Sequence, residues 1–338
     1  MNYLPKNLNF KEGIAYIGET SLTDVAKNYG TPLYVYDWEH LKGNIDAFTE
    51  AFGKDALFRY AAKAFISKAL VKELDEKGWG IDVVSGGEMA TVQETVGTLE
   101  NTVFNGTFKR TDEIEYFIQN NGGHISIDNR YEIEMLEKTA SSLKKKQPVI
   151  MRINLDVGAE THPMVLTSGY DQQFGISISF AEEALNQIAS SKSLLFSGIH
   201  VHIGSQIKDP ERYKLAMSSC SEFMNSNLEK VEGEAVFNAG GGFFSPYAGE
   251  EVDHELSVYS KAIHDGIKEH WEEGYKIMIE PGRALVNNPG VILYTAGAIK
   301  ADRGDKPYIL VDGGMSDNPR PALYGSEHKL FNISGGKS

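Results

Sequence analysis

Between about residues 55 and 285, short β-branched or aromatic runs alternate with stretches whose apolar side chains recur every three or four positions. The runs are ALFRYA (56–61), WGIDVV (79–84), NTVFNG (101–106), HISID (124–128), PVIMRINL (148–155), LFSGIHVHIG (195–204), EAVFNAGGG (234–242) and YKIMIEPG (275–282). The intervening segments carry helical stripes: Leu70/Val71/Leu74 ahead of a stop at Gly78, Met89/Val92/Val96, Ile114/Phe117/Ile118, and Ile133/Leu136. Ser85-Gly-Gly-Glu88 and Ser179-Phe-Ala-Glu182 have the spacing of capping boxes that open helices. Strand and helix in alternation, about eight times over, predict a parallel (β/α)8 barrel rather than an open doubly wound sheet. No G-x-G-x-x-G follows the first strand, which lowers the dinucleotide-binding alternative.

The two ends read differently. Residues 1–36 give short strands, GIAYIG and PLYVY, around one helix starting near Ser21. After residue 285, GVILYTAGAIK and KPYILVD are joined by the turn-like Ala301-Asp-Arg-Gly-Asp305. Residues 1–36 and 286–338 are therefore expected to meet in a smaller β domain, leaving 37–285 for the barrel.

Composition narrows the function. The 338 residues carry 47 acidic and 33 basic side chains, a formal charge of −14. Such a surface repels phosphate backbones and anionic membranes, so neither nucleic acid nor membrane is an expected partner. No apolar run approaches the roughly 18 residues that span a bilayer, and MNYLPKNLNFKEG lacks the apolar core of a signal peptide. One cysteine, Cys220, cannot form an intrachain disulfide, which fits a reducing cytoplasm.

In a (β/α)8 barrel, chemistry gathers where strands end and the following loops begin. Those positions hold Lys63, Asp82, Asn105, Asp128, Arg152, Asn154, His202, Gly240 to Gly242, Glu280 and Arg283. Each has an ordinary reading: a solvated rim lysine, a hydrogen-bonded core histidine, a tight glycine turn, a structural carboxylate–arginine pair. Each also has a chemical one. An amine at a partly dry rim can form a Schiff base with an aldehyde. Three glycines present backbone N–H groups to a phosphate. An imidazole can lie against a ring, and a carboxylate can hold the proton of a pyridine nitrogen. Together they describe a site for pyridoxal 5′-phosphate; no metal site is expected.

At these residues the chain resembles the fold-type III pyridoxal-phosphate decarboxylases, and within them the diaminopimelate decarboxylase family. YAAKA, DVVSGGE, THPMVLTSG, HVHIGSQI, GGGF, EPGRALV and VDGGMSDNPRPALY carry the resemblance, in order, over residues 30 to 328. It implies that Lys63 is the cofactor lysine and His202 the histidine against the pyridine ring. It implies further cofactor contacts from Asp82, Ser205, Gly240, Gly241, Gly242, Glu280, Gly282 and Arg283. Arg283, Arg320 and Tyr324 would hold the carboxylates of a diacidic amino acid. The implied reaction converts meso-2,6-diaminopimelate to L-lysine and CO2 in a homodimer.

The chain also departs from that family. Phe65 stands where relatives carry Asn, and Gln172-Gln173 where they carry Ser-Lys, which weakens the expected dimer contact. The Cys-Glu-Ser-Gly-Asp segment that relatives place in the partner's site does not occur in these 338 residues. Cys220 lies in a helical pattern with Met217 and Met224 and reads as a buried thiol, no substitute for that segment's cysteine. The β domain is accordingly expected to lack strands, and decarboxylation by this form to be impaired. Two alternatives stay open: a decarboxylase or racemase for another amino acid, and a non-catalytic barrel that binds pyridoxal phosphate.

Overall fold

The computed structural model describes residues 3–155, 173–247, 250–251, 254–301 and 307–334. The motif at 161–169, Gln172 and turn residues 302–305 lie outside them. Two compact units are formed: residues 1–46, 245–253 and 284–338, and residues 47–244 and 254–283.

The second unit is the barrel that the alternation predicts. Numbered along the chain, its parallel strands are β1 (Leu57–Ala61), β2 (Gly80–Val83), β3 (Thr102–Phe104), β4 (His124–Ile127), β5 (Gln147–Asn154), β6 (Leu194–His200), β7 (Ala235–Asn238) and β8 (Tyr275–Ile279). Each pairs with the next, and Met278 of β8 stands opposite Leu57 of β1, which closes the ring. Closure leaves these strands no open edge. Inside, Leu57, Val103, Ile150, Val236 and Met278 pack as one apolar layer. Side chains alternate between faces along a strand, so the residues two further on share the inner face. Those residues are Arg59, Asn105, Arg152, Asn238 and Glu280: an apolar floor is followed at once by a polar layer.

The outer helices bury the stripes read from the sequence. Leu70, Val71 and Leu74 are buried on Lys68–Glu76, and Ile114, Phe117 and Ile118 on Thr111–Gln119. Burying each such side chain is worth roughly 2 kcal/mol. The Ser85 hydroxyl accepts from Glu88 N at 3.4 Å, while the Glu88 carboxylate reaches back to Val84 N at 2.6 Å. The second expected capping box is displaced. Helix Ile178–Ala189 is capped by Ser177, whose hydroxyl accepts from Ser179 N at 3.3 Å. Ile176–Ser177 pairs with the end of β5 and fixes the backbone there, so the helix starts ahead of Ser179.

The first unit joins both ends of the chain. Leu8–Lys11 pairs antiparallel with Ile14–Ile17, Leu33–Tyr36 with Gly290–Leu293, and Ala296–Lys300 with Tyr308–Val311. Ala15, Leu22 and Leu293 form its apolar centre, flanked by Leu33, Val35, Val291 and Ile333. Ile299, Tyr308 and Ile309 on the last hairpin are exposed. Among the described residues, no helix is long and apolar enough to cross a membrane.

Candidate active site

Lys63 lies on a single 3-10 turn, Ala62–Ala64, immediately after β1. Its side chain is 56% exposed, and its Nζ faces Asp82 Oδ2 at 3.4 Å across to β2. Gly282 backs this turn: a methyl there would lie 3.0 Å from the Ala61 Cβ. Asp82 itself is fully buried. Burial raises its carboxyl to about 6, opposed by the Lys63 charge. In return Asp82 raises the lysine, so the amine is held protonated beside its partner.

From Asp82 a chain of hydrogen bonds runs through the polar layer. Asn105 Nδ2 donates to Asp82 Oδ1 at 2.7 Å and to Glu280 Oε1 at 2.9 Å. Asn238 Nδ2 donates to the same Glu280 oxygen at 2.7 Å. The other oxygen, Oε2, stands 3.4 Å from His200 Nε2, and His200 Nδ1 meets Ser126 Oγ at 2.9 Å. Glu280 is 4% exposed, so its charge is answered by these neighbours rather than by water.

The loops after β6 and β7 meet beside this network. Gly241 N donates to His202 Nδ1 at 3.3 Å, which assigns the ring proton to Nε2. Burial, and next the Lys63 charge, hold His202 well below the usual histidine range, so the ring is neutral. Gly240 N donates to Asn238 Oδ1 at 2.9 Å. Two of the three glycine N–H groups expected for a phosphate therefore have protein partners. Gly242 has φ of +95°, and a methyl on it would run into the Gly204 carbonyl oxygen; only glycine lets the Gly204–Ser205 loop approach this closely. Ser205 is exposed on that loop. Arg283 opens the short helix Arg283–Val286 after β8.

Arg320 and Tyr324 belong to the first unit, on helix Arg320–Tyr324. The Arg320 guanidinium lies 4.9 Å from the Tyr324 ring centre, and its Nε donates to the Tyr247 hydroxyl at 2.7 Å. Sequence reasoning missed Tyr247, and also His200, Asn238 and Ser126. For His200 a signal existed: His-Val-His at a strand end puts both imidazoles on one face.

These groups fit pyridoxal phosphate. An amine stands at the barrel mouth for its aldehyde, and a buried carboxylate for its ring nitrogen. A neutral imidazole suits its ring, and a glycine-lined junction that a Cβ would fill suits its phosphate.

The two site histidines also set a pH dependence. Burial lowers both His200 and His202 well below 6.5. Unfolded, they take up protons near pH 6.5; folded, they resist, so their stability contribution is present above that pH and lost below it. The expected cost is about 1.4 kcal/mol per pH unit for each histidine. Asp82, raised to about 6, binds its proton earlier when folded and offsets one of them between about pH 6 and 4. Urea midpoints are expected to fall between pH 7 and 5, with a shallower fall in His200→Gln.

Comparison with known proteins agrees with this geometry. Residues 39–287 match the family model described as the pyridoxal-binding domain of pyridoxal-dependent decarboxylases. Diaminopimelate decarboxylase of Bacillus subtilis is 35% identical over 94% of this chain and 75% of its own length. That of Aquifex aeolicus is 32% identical over 96% of this chain and 76% of its own. The crystal structure of the M. jannaschii diaminopimelate decarboxylase in complex with L-lysine superposes with a TM-score of 0.89 at 30% identity, covering 97% of this chain and 78% of that one. With the lysine, the buried carboxylate and the glycine junction at one barrel mouth, and relatives of this likeness, the chain belongs to the diaminopimelate decarboxylase family of pyridoxal-dependent decarboxylases.

Proposed function

We propose that this chain decarboxylates meso-2,6-diaminopimelate to L-lysine and CO2 with pyridoxal 5′-phosphate. The observation that carries the reading is the hydrogen-bonded line from the Lys63 amine through Asp82 and Asn105 to Glu280. It ties an amine and a buried carboxylate into one layer at the same end of one barrel. Pyridoxal phosphate, when bound, supplies an aldehyde for amines and a ring that spreads the electron pair left by departing CO2. Lys63 would hold the cofactor through its aldehyde. Asp82 orients that amine. Glu280 would hold the proton of the ring nitrogen, and the neutral His202 would offer an uncharged face to the ring. Ser205 and Gly242 would receive the phosphate, the N–H groups of Gly240 and Gly241 being held by Asn238 and His202. Arg283, Arg320 and Tyr324 take the substrate carboxylates, for which a guanidinium fork has the matching geometry.

The test is incubation of the purified chain and cofactor with meso-diaminopimelate, following CO2 and L-lysine. Release of both supports the reading. CO2 from another amino acid only, inversion without CO2, or a trapped cofactor with no product each replaces it with another reading. We also infer a homodimer in a reducing cytoplasm. The resemblance and the single, buried cysteine support this, and the molar mass in solution by light scattering tests the dimer.

A further inference from the structure

Asn105 occupies an unusual place. Its one amide nitrogen donates to Asp82 Oδ1 at 2.7 Å and to Glu280 Oε1 at 2.9 Å, so both of its hydrogens go to carboxylates on β2 and at the end of β8, the two strands that flank β1. Among the described residues its Oδ1 is buried without a hydrogen bond. Turning the amide over would aim that oxygen at two carboxylate oxygens, so the orientation is fixed by its neighbours. A buried oxygen left unpaired costs free energy. The arrangement is therefore one in which both hydrogens are committed to the carboxylates at the expense of the acceptor.

We propose that Asn105 is a positioning residue that couples the lysine end of the site to the ring-nitrogen end, letting Asp82 stay ionised against Lys63 although Glu280 lies one amide away. Two carboxylates that share a buried donor repel each other, and each N–H they lose favours taking up a proton. Asp82 shows the balance: burial and Glu280 push it up, while the Asn105 hydrogen bond and Lys63 pull it down. Without Asn105, Asp82 would hold a proton near neutrality, and Lys63 would lose the charge that orients its amine. The other groups facing Asp82 are Lys63 and Glu280, and Glu88 stands nearby on the next helix.

This rests on the reading of Lys63 and Glu280 as cofactor residues, but its test does not need the cofactor. Infrared titration of cofactor-free protein follows the carboxylic-acid carbonyl band that Asp82→Asn removes. In Asn105→Ala the midpoint of that band is expected to rise by at least about one pH unit, a tenfold gain in proton affinity. Adding Glu280→Gln to Asn105→Ala should return it toward the unaltered value, because the repelling charge is gone. A purely structural asparagine would lower stability equally in both backgrounds and leave the midpoint in place; that result overturns the proposal. Should Asn105→Ala not fold, the unaltered chain still decides: both Nδ2 protons of Asn105 must shift in nitrogen-edited NMR with the Asp82 midpoint, and an insensitive pair overturns it. Loss of turnover with meso-diaminopimelate and an intact bridge would sink the functional reading alone.

Discussion

Lys63→Ala protein, reduced with borohydride in the presence of pyridoxal phosphate and dialysed, is expected to keep no covalent chromophore, while the unaltered chain keeps one per polypeptide. Decarboxylation should fall by roughly 1,000-fold or more, the scale seen when a group acting directly on the reacting atoms is removed. The chain places this amine with care. Strand β1 ends at Ala61, a single 3-10 turn follows, and Lys63 emerges with Asp82 at 3.4 Å. Asp82 gives the amine direction, and the half-exposed side chain gives it access. The variant should still fold, with some loss of stability because the buried Asp82 loses its Lys63 partner. A labelled, dialysis-stable chromophore in Lys63→Ala would put the covalent link elsewhere and remove the basis for the site as drawn.

The largest stability effect is expected at a group with no direct part in that chemistry. Glu132→Ala should destabilise the chain by about 3–5 kcal/mol, read as a lowered urea midpoint. Lys109 and Glu132 are 0% and 2% exposed, and Lys109 Nζ donates to both Glu132 oxygens at 3.1 and 3.0 Å. The same amine donates to the Gly106 carbonyl at 2.8 Å, and Glu132 Oε2 accepts from Asp128 N at 2.9 Å. The pair thus ties the loop after β3 to the loop after β4. Burial lowers the lysine and raises the carboxyl, the direction expected when water is withdrawn from both charges. Removing Glu132 strands the Lys109 charge in a dry site. Replacing both partners, as in Lys109→Met with Glu132→Leu, should cost far less than the two single changes added together. Additive losses would show that the two charges do not depend on each other.

Much of the fold was legible because periodicity is a local property. Alternation along HISID and the three-to-four spacing of Ile114, Phe117 and Ile118 need no knowledge of distant residues. The eight strand runs read from the sequence correspond to the eight barrel strands. The Ser177 cap was not legible, because it depends on pairing between Ile176–Ser177 and the end of β5. The glycine run was read as a set of free donors; the structure spends two of them on Asn238 and His202.

The sequence by itself determined which residue types arrive at strand ends: a lysine, a histidine, a carboxylate and a glycine run, each displayed by local geometry and motif. Only the tertiary structure decided which of them share hydrogen bonds. Asp82, Asn105, Asn238 and Glu280 come from β2, β7 and the residues following β3 and β8, up to 198 positions apart along the chain between first and last. Ring closure, fixed by the pairing of β8 with β1, turns those separations into contacts, and no local pattern encodes a distance across a barrel.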